Sequence, residues 1–136
     1  MNIIVCLDDA LGMSFNGRRQ SRDRLVTDDI LSVTSGKKLY ITAFSEKLFA
    51  HRGEVYTVDV NMLDAARSGE YCFVENIAIK PYISRVEEIV IYRWNRRYPA
   101  DMHFDIDLES EGFAKVGSTE FEGYSHEKIT KEIYRR

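Results

Sequence analysis

Ile3-Ile4-Val5-Cys6-Leu7 is apolar at every position. A strand built on it, over residues 2–8, therefore turns apolar side chains to both of its faces. Such a strand must be covered on both sides, as a central strand is in a sheet flanked by helices. Downstream the two periodicities alternate. Residues 22–34 carry Leu25, Val26, Ile30, Leu31 and Val33 as a helical stripe, and Ser35-Gly36 supplies the stop. Strand patterns follow at 38–43, 55–59, 71–75 and 87–94. Between them lie a short helix opening at Ser45, a helix capped by Asn61 and running through Arg67 to Gly69, and a helical connection over 77–84. This alternation implies parallel pairing through crossover helices. Residues 9–20 hold Gly12, Asn16 and Gly17 without periodicity and read as a loop.

The last third changes character. Residues 102–107, 113–121 and 128–134 alternate in the manner of strands, with Ile129, Lys131, Ile133 and Arg135 marking the clearest case. The economical architecture is an α/β domain: a single mainly parallel twisted sheet with flanking helices and a C-terminal antiparallel hairpin. At 136 residues, 44% of them hydrophobic, the chain reads as one domain over 1–136, with enough apolar material for a real core. Its longest apolar runs are far too short to span a bilayer. Met1 is followed by no basic, export-type segment, which gives a cytoplasmic expectation with no membrane partner. Cys6 and Cys72 each sit in an apolar run and read as buried thiols. No CxxC occurs, and His51, His103 and His126 lack ligand spacing, so no metal site is expected.

Charge is unevenly placed. The net value of −3 argues against broad tracking of a nucleic-acid backbone. Residues 16–24 nevertheless carry Arg18, Arg19, Arg22 and Arg24 against Asp23 alone, while residues 100–122 carry seven carboxylates against Lys115. Guanidinium groups on a glycine-flanked loop grip phosphate or carboxylate; the same residues also suit a solvated loop and an exposed helix start. Arg93, Trp94, Asn95, Arg96, Arg97 and Tyr98 interleave base and aromatic, a pattern that stacks nucleobases, although Trp94 at a strand end also suits a core. Asp105 and Asp107 lack calcium-loop spacing and read as carboxylates on one strand face. His126 is a general-base candidate, but its neighbour Glu127 on a strand would point to the opposite face. Asp8 and Asp9 end the first strand, where α/β sheets often bind ligands.

Several stretches in order resemble the dihydrofolate reductases. The opening IIVCLDDALGMSFNG resembles that family's first strand, acidic residue, G-[IM] pair and mobile loop. DILSVTSGKKLYI resembles its substrate-side helix and second strand, VDVNMLDAARSGEYCFVEN its next strand, helix and strand, and the segment from IVIYRWNRR to the closing basic residues its C-terminal strands. The resemblance implies the fold. At the chemistry the chain departs from the family. Arg18-Arg19-Gln20 stands where the family has L-P-W, and Val26 stands at its substrate carboxylate, with Asp23 and Asp28 out of register. Ala43-Phe44-Ser45-Glu46 replaces its phosphate-reading G-[RK]-x-T, and Glu75-Asn76 replaces its glycine pair. The segment between Phe49 and Val55 is also a strand short. The sequence also resembles short bacterial proteins labelled ribonuclease Z, but the H-x-H-x-D-H metal motif of that enzyme is missing.

These departures imply no nicotinamide cofactor and no reductase activity. The expectation is a small anionic or nucleotide-like ligand gripped by Arg18, Arg19, Gln20 and Arg22, with Asp8 or Asp9 at the strand end. Two alternatives stand beside it. One is a metal-independent ribonuclease or phosphodiesterase using His126 and Arg19, and the other is a protein-interaction module whose basic loop meets an acidic partner.

Overall fold

A computed structural model describes every residue except 51, 52 and 54, so His51 lies outside the described residues, as does part of the shortened segment before Val55. In chain order the elements are β1 (Asn2–Leu7), β2 (Gly12–Phe15), β3 (Arg18–Arg19), α1 (Arg24–Val33), β4 (Leu39–Ile41), α2 (Glu46–Phe49), β5 (Thr57–Val58), α3 (Met62–Ala65), β6 (Tyr71–Phe73), β7 (Glu88–Arg93), β8 (Met102–His103), β9 (Ala114–Phe121) and β10 (Ile129–Arg135). The main sheet has the order β5-β4-β6-β1-β7-β10-β9. Its first five strands pair in parallel, and β10 runs antiparallel to both β7 and β9.

The doubly apolar opening strand explains this layout. Ile3, Val5 and Leu7 point into one core with Met62, Ile89 and Ile91, while Ile4 points into the other with Ile30, Phe49 and Phe73. The expected parallel α/β sheet with a terminal hairpin is therefore present, and its two layers meet at β1.

Five local readings change, the first at α3, which ends at Ala65 and takes no side-chain capping bond from Asn61. Residues 9–20 are not a loop: β2 and β3 form a hairpin, and β8 joins β2 to make a separate antiparallel sheet in the order β3-β2-β8. Its turn is Asn16-Gly17, both at positive φ (55° and 70°), the pairing a tight hairpin demands. Residues 102–107 are a strand only at Met102–His103. Phe104 and Ile106 enter the core, while the Asp105 carboxylate accepts the backbone N–H groups of Ile79 and Lys80 at 3.1 and 2.9 Å. Asp105 thus serves the start of the 3₁₀ segment Lys80–Arg85, which replaces the helical connection expected over 77–84. The Ser45 hydroxyl accepts no capping bond from an N–H of α2; it donates to Glu75 instead.

Candidate functional site

The basic segment 16–24 does not act as a unit, because the hairpin and helix start send its side chains to different places. Arg18 is exposed on the outer strand of the small sheet. Arg19 is committed within the protein. Its Nε and Nη2 donate to the two oxygens of Glu75 at 2.9 Å each, and Nη2 also donates to the Phe44 carbonyl. Gln20 donates from Nε2 to Asp8 and to the Pro99 carbonyl.

Asp8 is buried, and its carboxylate accepts from the N–H groups of Ala10, Gly12 and Tyr98 as well as from Gln20. Burial alone would raise its pKa, but these donors lower it on balance. Asp8 is therefore a knot holding the β1–β2 turn closed. The close fit requires Gly12, where a Cβ would lie 2.5 Å from Gln20 Nε2 and 2.9 Å from Asp8 Oδ2. Asp9 is exposed.

The aromatic-basic cluster separates too. Arg93 donates to Glu132 at 2.6 Å inside the sheet, and Trp94 is 4% exposed. Arg96 and Arg97 are both exposed but line different surface hollows. The four residues thus present no common nucleobase-stacking surface.

What the fold does assemble centres on the first turn of α1. Asp23 is its N-cap and accepts the Leu25 N–H at 2.9 Å. The carboxylate is buried and reaches across to the β9–β10 loop, accepting the N–H groups of Tyr124 and Ser125 at 2.9 Å each. Gly123 makes this approach possible, since a Cβ there would lie 2.6 Å from Asp23 Oδ2.

His126 completes the cluster, and it is not on a strand: it sits in the loop before β10, so the argument against a dyad with Glu127 does not apply to it. Its acidic partner is Asp23, with Nδ1 2.8 Å from Oδ2. Nε2 lies 2.9 Å from the Ser21 hydroxyl and 3.3 Å from the Tyr98 hydroxyl. The imidazole stacks on Trp94 at 4.7 Å between centroids. Burial pushes the Asp23 carboxyl up, but the bonds from His126 and from the Ser125, Tyr124 and Leu25 N–H groups outweigh it and hold the group well below the usual carboxylate range.

A cleft of about 340 Å³ opens beside this cluster, and Arg22, Arg24, Lys47, Thr27, Tyr124 and Ser125 are among the residues lining it. The Arg24 guanidinium lies 5.1 Å over the Tyr124 ring, and Tyr124 is 69% exposed. A second, narrow cavity of about 10 Å³ adjoins it, reaching Ser21, Cys6, Phe73, Glu75 and Trp94. Arg22, Asp23, Thr27 and Leu48 line both. Of the basic loop, Arg22 alone among the sequence candidates faces the cleft. Lys47, Tyr124 and Ser125 carried no sequence signal, since they reach it from α2 and from the far end of the chain. The Ser21-x-Asp23 spacing before an apolar run was a legible N-cap signal.

Element order, strand order and the C-terminal hairpin together define a dihydrofolate-reductase-like α/β fold. Among solved structures, the chain is similar to the dihydrofolate reductase from Enterococcus faecalis complexed with NADP(H) and RAB-propyl, with a TM-score of 0.69 over 99% of this chain and 95% of that one. Their sequences are 12% identical, so the likeness is one of fold. No protein-family model matches the sequence, and no curated protein matches it either.

A dinucleotide of that kind does not fit the residues present. The family's glycine pair gives way to Glu75-Asn76, and Asn76 keeps the positive φ (55°) that such a turn needs. Glu75, however, adds a carboxylate, fixed by Arg19 and by the Ser45 hydroxyl, where the family's backbone would approach a diphosphate. The narrow cavity barely reaches the volume of one water molecule.

Proposed function

We propose that this chain binds a small anionic, nucleotide-like ligand in the cleft between the start of α1, α2 and the β9–β10 loop, and that it is not a nicotinamide-dependent reductase. The observation that carries the reading is the convergence of Arg22, Arg24 and Lys47 on one cleft of about 340 Å³, beside an exposed tyrosine ring. Two guanidinium groups supply fork-shaped donors for a phosphate or carboxylate, and Lys47 adds a point charge. The first turn of the ten-residue helix α1, capped by Asp23, lines the same space. The Tyr124 ring offers an apolar face to the body of the ligand. Arg22 remains from the expected binding set, whereas Arg18, Arg19, Gln20, Asp8 and Asp9 are replaced by Arg24, Lys47, Tyr124 and Ser125.

The test is a thermal-shift and calorimetric titration with inorganic phosphate, a nucleoside monophosphate and NADPH, on the wild type and on an Arg22→Ala/Arg24→Ala/Lys47→Ala variant. A ligand at 100 times its Kd stabilises the fold by about 2.7 kcal/mol. The monophosphate is expected to raise the midpoint of the wild type and leave the variant unmoved. Stabilisation by NADPH, or an unchanged response in the variant, refutes the assignment.

A further inference from the structure

The cluster around His126 has an order that capping and packing alone do not require. Asp23 Oδ2, His126 Nδ1, His126 Nε2 and Ser21 Oγ follow one another at 2.8 Å and 2.9 Å across the imidazole. An ionised carboxylate can only accept, so Nδ1 carries a proton, and in the neutral imidazole Nε2 then offers its lone pair. The Ser21 hydroxyl therefore donates to Nε2, as a nucleophile donates to its general base. The carboxylate that selects this tautomer is itself held by backbone N–H groups from two elements, α1 and the β9–β10 loop. Stacking on Trp94 fixes the ring plane. The Tyr98 hydroxyl, at 3.3 Å, shares the Nε2 side and is the weaker of its two partners.

Ser21 is half-buried, lines the narrow cavity, and precedes Arg22, which lines both that cavity and the cationic cleft. Arg22 thus links the cleft to the space beside Ser21, which takes about one water as it stands and must widen to admit an acyl group.

We propose that Ser21 is an acyl-accepting nucleophile, activated by His126 and positioned through Asp23, and that the chain hydrolyses small carboxylic esters bearing an anionic group. The choice of an anionic ester rests on the cleft reading above; the nucleophile does not.

In the first step Ser21 Oγ bonds to the ester carbonyl carbon, and its proton passes to Nε2. The bond from that carbon to the leaving oxygen then breaks, and the proton on Nε2 goes to the departing alcohol. Water next attacks the acyl carbon and gives a proton to Nε2. The acyl–Oγ bond breaks, Oγ recovers that proton, and a carboxylic acid is released. Arg22 is placed to meet the negative charge that develops on the carbonyl oxygen.

The experiment has two parts on the full chain. Wild type is treated with a fluorophosphonate, which a nucleophilic serine displaces with loss of fluoride, and the adduct is mapped by mass spectrometry. Labelling at Ser21 supports the assignment; an intact Ser21, or labelling spread over other serines, overturns it. Release of p-nitrophenol is then followed from p-nitrophenyl acetate and from mono-p-nitrophenyl succinate. Ser21→Ala, which leaves the Asp23–His126 contact in place, is expected to lower both rates a hundredfold or more; rates equal to wild type overturn the proposal. Asp23→Asn, assayed where circular dichroism shows it folded, is expected to lower kcat about a thousandfold or more with KM unchanged, because the imidazole takes the wrong tautomer. An unchanged kcat removes Asp23 from the proposal. If the succinate and acetate esters turn over equally while Ser21→Ala is dead, the nucleophile stands and the anion-cleft reading fails.

Discussion

Replacing Asp23 by alanine tests whether one carboxylate ties two distant parts of the chain together. It removes the N-cap of α1, worth about 1 kcal/mol. It also strands the Tyr124 and Ser125 N–H groups and the His126 Nδ1–H, which now point at Asp23. A buried donor left without a partner costs about 1–3 kcal/mol. The two loop amides lie near the surface, where water can reach them, so the cost is counted in full only for the buried histidine. The sum is about 2–4 kcal/mol, or roughly an 8–15 °C fall in Tm for a domain of this size. Asp23→Asn keeps one acceptor oxygen and should lose about half as much.

The pH dependence has a definite sign. Asp23 titrates below its unfolded value of about 3.9, so the folded state binds fewer protons there. Its contribution is complete above that value and is lost as the pH falls. The gap between wild type and Asp23→Asn should therefore narrow below about pH 4. Urea titrations followed by far-ultraviolet circular dichroism at pH 7 and pH 3 measure both effects. A loss under 1 kcal/mol for Asp23→Ala at pH 7 would refute the view that this carboxylate anchors the β9–β10 loop to α1.

Gly123→Ala places a methyl group 2.6 Å from Asp23 Oδ2 and 3.0 Å from the His126 carbonyl, and should lower the urea midpoint even though it removes no hydrogen-bonding group. Glu132 accepts from Arg93 at 2.6 Å and pairs with Lys115 at 2.9 Å; burial would raise its carboxyl, but these partners lower it on balance. Glu132→Gln should cost about 2 kcal/mol at pH 7 and progressively less as the pH falls below the ordinary carboxylate range, as denaturant titration at neutral and acid pH will show. Burial pushes the Cys72 thiol up to about 12, and burial together with the Glu75 charge raises Cys6 despite Arg19 nearby. Neither thiol should react with an aromatic disulfide reagent at pH 8 until denaturant is added, when both should titrate.

The parts of the fold legible in the sequence were those set by local pattern. The five-residue apolar run of β1 required cover on both faces, and Ile3 and Ile4 duly enter opposite cores. Gly36, at φ +75°, ends the segment after α1 as its position suggested. The β2–β3 hairpin was missed although Asn16-Gly17 announces it, because its strands, Gly12–Phe15 and Arg18–Arg19, are too short for periodicity to register. Residues 102–107 misled for the opposite reason: their alternation is real, but beyond His103 the apolar members pack into the core without a strand to pair with.

The candidate site divides along the same line. Sequence alone determined that a cluster of arginines lies at a helix start and that His126 is a general-base candidate near a strand. It could not determine which of these meet. The tertiary structure tied Arg19 to Glu75 across 56 positions and left Arg22 facing the cleft. It also carried His126 across 103 positions to Asp23. Local propensity acts through near neighbours and is written in spacing, whereas a charge partner is chosen by whichever group the packed sheet brings within about 3 Å. That choice exists only once β10 has paired with β7 and the loop before it has closed over α1.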